Sequence, residues 1–280
     1  MKLVTWNTQW CCGLDGTVSP QRIVEGARAL ADFDVLCLRE VSQGFDGLRG
    51  APGDQPAQLA TLLPGFRCFY GAATDEFGSD GKRQRFGNLV ATRLPVARVQ
   101  HHALPWPADP SVESMPRMCS VVTLRAPGLG EVRVMTTHLE YYSASQRLAQ
   151  ARALHALHEE ACALAAAPPK PSDEGAFRAK VHTPHAVLCG DFNATADDPA
   201  IAAIEASAGA HTLRDAWPLL HGGTPHAPTF RVFDHTYGDR AAAFDFVFVS
   251  AGLGQRLRRI EVDTRTQASD HQPVVVELGA

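Results

Sequence analysis

The chain has 280 residues, of which 45% are hydrophobic and 20% charged, and its formal net charge is −4. The apolar content is sufficient for a large core, and the mild negative charge argues against a broad basic face for duplex DNA, although a local basic patch is still allowed. The length alone would permit two domains. We expect a single domain over residues 1–280, because α/β and β-sandwich folds of this size often form one.

The sequence shows no feature of secretion or membrane insertion. Residues 1–6 lead directly into a strand, without the apolar core and cleavage site of a signal peptide. No run reaches the ~18 apolar residues of a membrane span. The seven cysteines are scattered, mostly in apolar runs, and form no Cys-x-x-Cys pair for zinc. We therefore expect a cytoplasmic protein with reduced thiols and no membrane partner, and a monomer.

In the first half of the chain, apolar periodicity and turn residues predict strands with two intervening helices. Ser19 and Pro20 form a helix start, an N-cap followed by proline at the first helical position. Residues 74–85 are polar and rich in glycine, which predicts a surface loop. The basic residues of this loop either meet an anionic substrate or are simply solvated. The expected elements are strands at 3–6, 34–38, 66–70, 86–92 and 96–101, and helices from residues 20 and 56.

The second half continues the mixed pattern. Residues 143–146 have the form of a capping box, which begins a long helix. His155 and His158 lie three apart on this helix, but without a third ligand they are interpreted as surface or packed histidines. Residues 167–184 are polar and rich in proline, and strands on both sides indicate a loop and not a domain linker. The expected strands are 118–124, 132–137, 186–189, 243–249 and 274–278.

Polar residues stand at the ends of five apolar strands. Asp191 and Asn193 follow one strand after Gly190, and residues two apart point to the same side while the chain stays extended. Carboxylate and amide oxygens suit Mg²⁺ or a reacting phosphate better than Zn²⁺. A lone Asp-x-Asn would indicate an Asx-turn. Recurrence at other strand ends, where Asn7, Glu40, His138 and the pair Asp270-His271 stand, predicts instead one polar site on a β scaffold.

Seven motifs resemble, in order, the endonuclease/exonuclease/phosphatase superfamily of metal-dependent phosphoesterases. They are Thr5-Trp6-Asn7, Leu38-Arg39-Glu40-Val41, Gly87-Asn88, Thr137-His138-Leu139, Gly190-Asp191-Phe192-Asn193, Phe244-Asp245-Phe246 and Ser269-Asp270-His271. The resemblance spans nearly the whole chain. It implies a DNase I-like, four-layer α/β sandwich of two packed mixed β-sheets flanked by helices, with the site at one edge. One departure is Arg39, where the family usually has glutamine, and we expect it to change hydrogen bonding or charge near the site.

The resemblance also implies dependence on Mg²⁺ or Mn²⁺ and hydrolysis of a phosphoester. His271 would act as the general base, with Asp245 fixing its tautomer. Asp191 and Asn193 would orient the water or bind metal, and His138 would donate to a phosphate oxygen. The implied metal ligands are Glu40, Asn7 and Asp270. The implied substrate-binding residues are Asn88, Arg117 and Tyr141.

Three alternatives remain from the sequence. The first is a DNA endonuclease or exonuclease of the same fold. The second is a non-catalytic binding or scaffold member, although no ligand has been lost. The third, a serine or cysteine hydrolase, lacks a Gly-x-Ser-x-Gly elbow. We expect a soluble phosphodiester, phosphomonoester or single-stranded nucleic acid ahead of duplex DNA. Trp10, Trp106, Tyr141 and Tyr142 either stack on a base or fill the core.

Overall fold

The structure is a computed structural model that describes residues 1–206 and 209–279. Within these residues, twelve strands form two six-stranded sheets. The strands are β1 (Lys2–Asn7), β2 (Val35–Gln43), β3 (Arg67–Phe77), β4 (Arg83–Thr92), β5 (Val96–Ala103), β6 (Met118–Ala126), β7 (Gly130–His138), β8 (Ala186–Asp191), β9 (Leu213–Asp215), β10 (Asp245–Ser250), β11 (Leu257–Val262) and β12 (Val274–Leu278).

Both sheets are mixed, and each has one parallel pair near its centre. The first sheet has the order β11-β12-β1-β2-β4-β3, and the second has the order β5-β6-β7-β8-β10-β9. β1 runs parallel to β2 with Asn7 beside Arg39, and β7 runs parallel to β8 with His138 beside Asp191. Because parallel strands end at the same edge of a sheet, the two polar residues of each pair lie side by side at that edge.

Helices cover the outer faces of the sheets. The Ser19 hydroxyl accepts a hydrogen bond from the Arg22 amide, and the Ser143 hydroxyl accepts one from the Gln146 amide, so both predicted N-caps are confirmed. None of the helices in the described residues combines the length and apolarity that a membrane span requires. The helices are α1 (Pro20–Leu30), α2 (Gln55–Leu62), α3 (Ala144–Ala166), α4 (Pro199–Ile204), α5 (Ala216–His221) and α6 (Ala251–Gly254).

Strand alternation divides the apolar side chains into layers. In β2, Val35 and Cys37 pack between the two sheets, whereas Leu36 and Leu38 pack under α1 and α2. The other sheet is built in the same way, with alternate residues of β8 and β10 facing the first sheet or the helices α3 and α4. The result is the four-layer α/β sandwich that the resemblance implied.

The prediction of a surface loop over residues 74–85 was wrong. β3 and β4 continue through it as a hairpin, and only residues 78–82 lie outside the strands. β3 is an edge strand, where polar residues on both faces are tolerated because they reach water. Two basic residues of this segment are paired with acids: Lys82 lies 3.2 Å from Asp46, and Arg83 makes two bonds to Asp75. The third, Arg85, lies over the ring of Tyr70. Lys82 and Arg83 are therefore not free cations, and contact of this segment with an anionic substrate stays a prediction.

Six of the cysteines, and His158 of helix α3, are packed in the interior of the protein. All seven cysteines are free thiols, and six of them are buried. Burial raises the pKa of the Cys11 thiol to about 12, so it is a poor nucleophile. His158 is buried on α3 with its Nδ1 2.8 Å from the guanidinium of Arg133, which confirms it as a packed residue.

Candidate active site

The polar residues at the strand ends lie on the same face of their strands as the side chains that pack between the two sheets. In β8, Val187 and Cys189 belong to the inter-sheet core, and Asp191 is the next residue on that face. In β10, Val247 lies on the same face, with Asp245 two residues before it. Asp245 is directly opposite Asp191 in the ladder. Strand alternation therefore places both carboxylates inside the sandwich, at one end.

Glu40 reaches this place through an irregularity in β2. In a regular strand Arg39 would follow Val35 and Cys37 on the inner face, and Glu40 would turn toward the helices. Instead, Glu40 has a left-handed φ of 55°, and the pairing of β2 with β4 shifts register at this point. Such bulges re-aim side chains, and a non-glycine residue with positive φ is uncommon. The bulge therefore accounts for the presence of this carboxylate in the site.

An amide and three carboxylates meet at this end of the sandwich. The Asn7 side-chain amide donates to Glu40 at 3.0 Å and to Asp191 at 2.9 Å. Burial, together with the nearby Asp270, raises the pKa of Glu40 to about 7. Burial also raises the pKa of Asp270, whose carboxylate accepts from the Ser269 hydroxyl. Asp270 and Asp191 thus lie where their negative charges disfavour the ionised form of Glu40.

His271 and Asp245 form an oriented pair beside these acids. His271 Nδ1 lies 2.8 Å from Asp245, and its Nε2 lies 3.4 Å from Asp191. The ring stacks on Phe230 at a centroid distance of 4.4 Å, which fixes its plane. Burial lowers the pKa of His271, but Asp191, Asp245 and Asp270 outweigh that effect and raise it to about 10. A cation on the acids would oppose this rise, since it would cancel much of their charge.

Asp191 and Asn193 meet in the site, although not by the predicted route. The strand ends at Asp191, and Asn193 has a φ of 48°, so the chain does not stay extended between them. The backbone N–H of Asn193 donates to Asp191 Oδ1 at 2.9 Å, which is the hydrogen bond of an Asx-turn. The Asx-turn therefore brings Asp191 and Asn193 together in the site.

Asn193 also sets the orientation of His138. Its Nδ2 donates to the carbonyl of Leu139 at 2.9 Å and lies 3.0 Å from His138 Nε2. Because an amide nitrogen can only donate, His138 Nε2 accepts and Nδ1 carries the proton. Burial, followed by the charge of Arg117, lowers the pKa of His138 well below its usual value. His138 is thus a neutral donor, with Nδ1 3.9 Å from Glu40.

These residues line a cavity of about 260 Å³. Arg117 lies in its wall, buried, and its Nε donates to Glu140 at 3.2 Å. Among the described residues, the two terminal nitrogens of Arg117 have no hydrogen-bonding partner, so they are available to an anion. The predicted residues in the lining are Glu40, Arg117, His138, Tyr141, Asp191, Asn193, Asp270 and His271.

Three predicted residues lie outside that lining, and one of them, Asp245, is the partner of His271 described above. Asn7 is behind Glu40 and Asp191 and holds both by hydrogen bonds. Asn88 is buried between the sheets, where its Nδ2 donates to the carbonyls of Met118 and Thr136 at 3.3 and 3.4 Å. It lines a small gap behind Glu40 and not the main cavity. Its role in substrate binding stays a prediction.

Comparison with known proteins agrees with this geometry. The model of the Endonuclease/Exonuclease/phosphatase family matches residues 4–271, which include every residue of the cavity described above. The chain belongs to this family. A comparison of its sequence with curated proteins gave no significant match.

Solved structures of this family have the same fold. An endonuclease/exonuclease/phosphatase from Beutenbergia cavernae DSM 12333 has 25% identity and a TM-score of 0.72, covering 100% of this chain and 72% of that chain. A mannosyl-6-phosphatase from Bacteroides thetaiotaomicron VPI-5482 has 19% identity and a TM-score of 0.69, covering 100% of both chains. Truncated Caenorhabditis elegans TDP2 has 17% identity and a TM-score of 0.66, covering 100% of this chain and 97% of that chain. At the lower two identities the likeness concerns the fold alone.

Arg39 is the main departure of this chain from the family pattern, and its position was missed by sequence reasoning. Its side chain is fully buried and forms an ion pair of 2.5 Å with Asp245 Oδ1. It also donates to the hydroxyl of Thr5 and, at 3.4 Å, to the carbonyl of Cys37. The signal was available, because the alternation of β2 puts Arg39 on the inner face, opposite the acids of the other sheet.

The donor set fits the hard divalent cation expected of this family. A group of Asp191, Asp245 and His271 has ligand atoms within 4.8 Å of one another. However, the two oxygens of Asp245 are already bonded to Arg39 and His271, so Asp245 is poorly placed to ligate. The acids Glu40 and Asp270, with Asp191 beside them, present oxygen donors and excess negative charge to the cavity, which suits Mg²⁺ or Mn²⁺.

Proposed function

We propose that this protein is a Mg²⁺- or Mn²⁺-dependent phosphoesterase that hydrolyses its substrate by attack of water, with His271 and Asp245 as the general-base pair. The supporting observation is that Glu40 and Asp270, whose pKa values are raised, and Asp191 converge in one cavity beside an oriented Asp–His pair. Glu40 and Asp270 line the same cavity as His271, and Asn7 donates to Glu40, which supports the proposal. This disfavours a non-catalytic scaffold role.

The proposed roles follow from the contacts. Glu40 and Asp270, with Asn7 fixing Glu40, would hold the cation, which when bound neutralises the phosphoryl and leaving oxygens. His271 would take the proton of the attacking water at Nε2, and Asp245 would stabilise the resulting imidazolium. Asp191 lies 3.4 Å from that nitrogen and would orient the water or join the metal ligands.

The opposite side of the cavity would bind the phosphoryl group. His138 would donate its Nδ1–H to a non-bridging oxygen, in the tautomer that Asn193 imposes. The free nitrogens of Arg117 would bind a second oxygen. Tyr141 would contact the remainder of the substrate at the rim of the cavity. We further propose a cytoplasmic, single-domain monomer, in accord with the seven free thiols.

Binding of Mg²⁺ should depend on Glu40. We expect Glu40→Gln to weaken Mg²⁺ roughly tenfold or more, since loss of a partner outside the direct ligands already costs about that much. Glu40 without metal has a pKa of about 7, so its proton competes with the cation. Affinity in the wild type should therefore rise from pH 6 to pH 8, and this rise should be smaller in Glu40→Gln. Isothermal titration calorimetry measures both.

Glu25→Gln, on the exposed face of α1, is the matched control and should bind Mg²⁺ like the wild type. Wild-type affinity in Glu40→Gln would rule out direct ligation by this carboxylate.

The substrate is proposed to be a small soluble phosphoester, or single-stranded nucleic acid, ahead of duplex DNA. Tight duplex binding requires several free cations, and two basic residues of the β3–β4 hairpin, Lys82 and Arg83, are paired with acids. A panel of supercoiled plasmid, abasic duplex, single-stranded oligonucleotide, inositol phosphates and nucleotide esters at fixed Mg²⁺ tests this. We expect turnover of the small esters or the single strand. Nicking of plasmid with the other substrates untouched would favour the endonuclease alternative.

A further inference from the structure

We infer that the substrate carries an uncharged aromatic substituent, which binds in a second cavity that adjoins the catalytic one. This inference rests on the proposed function, because it assigns the part of the substrate beyond the phosphoryl group. The second cavity has a volume of about 420 Å³. Its apolar wall is formed by Phe45, Leu48, Phe86, Trp106, Met115 and Pro116.

The two cavities share part of their lining. Phe86 and Met115 line both of them. The same two side chains also border the small gap that Glu40, Arg117 and His138 line from the other side. A group on an ester oxygen of a phosphate held by Arg117 and His138 therefore needs to pass only Phe86 and Met115 to enter the second cavity.

The wall is aromatic and partly exposed to water. Phe45 and Phe86 pack edge to face, with centroids 6.2 Å apart. Trp106 is 51% exposed, although its indole N–H donates to Ser114 at 2.9 Å and so holds the ring in place. Apolar surface of this kind, left open beside a polar site, is typical of ligand binding. Aromatic rings gain from edge and face contacts with other rings beyond the area that they bury, which favours a ring over an alkyl chain.

Charge excludes a second phosphate from this cavity. The charged residue in its described lining is the acid Glu76. Of the basic residues at the end of the hairpin, Lys82 and Arg83 are paired with acids, and Arg85 lies over the ring of Tyr70, which is outside the described lining of the cavity. A continuing nucleic-acid backbone would therefore place its next phosphate beside a carboxylate without a free cation. An uncharged ring has no such cost.

Phosphonates that carry one organic group test the inference. Their carbon–phosphorus bond is not hydrolysed by a phosphoesterase, and the organic group is the part of the molecule that can enter the second cavity. The dissociation constants of methylphosphonate, benzylphosphonate and hexylphosphonate are measured by calorimetry with Mg²⁺ present. In the wild type, benzylphosphonate should bind about tenfold or more tighter than methylphosphonate, and tighter than the alkyl analogue. The preference for benzyl over methyl should fall toward unity in Trp106→Ala and Phe45→Ala.

Phe77→Ala is the matched control, since Phe77 is 72% exposed on β3 and lines neither cavity, and it should keep the full preference. Binding of methylphosphonate with no gain from the benzyl group would overturn the inference and leave the proposed function standing. A preference that survives both cavity variants, or tighter binding of the hexyl analogue, would also overturn it. Failure of all three phosphonates to bind would count against the phosphoryl site itself, and hence against the proposed function together with this inference.

Discussion

Replacement of His271 by alanine is expected to lower kcat by about a hundredfold to ten-thousandfold, the range that a general base contributes. The imidazole is fixed from two sides, by Asp245 at Nδ1 and by stacking on Phe230, so that Nε2 faces the cavity. His138, which also lines the cavity, is instead hydrogen-bonded to the side-chain amide of Asn193. Steady-state hydrolysis of a chromogenic phosphodiester at saturating Mg²⁺ measures the loss.

Asp245→Asn should show much of the loss in kcat expected for His271→Ala. The neutral amide does not stabilise the imidazolium, and it does not select the tautomer of the neutral imidazole. The two residues act as one unit, so the double variant should be little slower than His271→Ala alone. His102→Ala, on the edge strand β5, is the control and should retain wild-type kcat. If the losses of the two single variants multiplied in the double variant, the proposed pairing would be wrong.

Replacement of Arg39 by methionine is expected to destabilise the fold by about 3–5 kcal/mol, since it removes the guanidinium that is bonded to Oδ1 of a fully buried carboxylate. Arg39 and Asp245 are both 0% exposed, and Arg39 is the residue that bonds Asp245 Oδ1. Activity should fall as well, because Asp245 would lose the bond at Oδ1 that helps to hold its carboxylate in position for His271. Urea unfolding gives the free energy of unfolding, and kcat is measured under conditions in which the variant stays folded.

Two further variants separate folding from catalysis. Arg39→Met combined with Asp245→Leu removes the whole buried pair, and we expect it to recover stability but not activity. Arg39→Gln restores the residue usual in the family and should retain more activity than Arg39→Met. A loss of less than about 1 kcal/mol in Arg39→Met would show that the buried pair is not the stabilising contact described here.

The parts of the site that depend on strand alternation were predictable from the sequence. Asp191 follows, and Asp245 precedes, inner-face residues of regular strands, so their convergence needs only the period of two and the correct sheet order. The same rule applied to β2 would have placed Arg39 between the sheets and indicated an acidic partner in the facing sheet.

Other parts depend on local irregularities that no periodicity reveals. Glu40 enters the site through a bulge with positive φ, and Asn193 enters through an Asx-turn after its strand has ended. The family motifs found both residues without explaining how they reach the site. The strands through residues 74–85 were missed because an edge strand need not alternate, and their cross-strand partners are set by tertiary pairing.

The most direct test of the central claim is hydrolysis of bis(p-nitrophenyl) phosphate by protein stripped of metal and then supplied with Mg²⁺ or Mn²⁺. Stripped wild type should be inactive, and activity should return on addition of the cation. His271→Ala, which retains the proposed metal ligands, should stay near background under the same conditions. Activity that survives chelation, or that returns equally in His271→Ala, would contradict a metal-dependent mechanism with an Asp–His base.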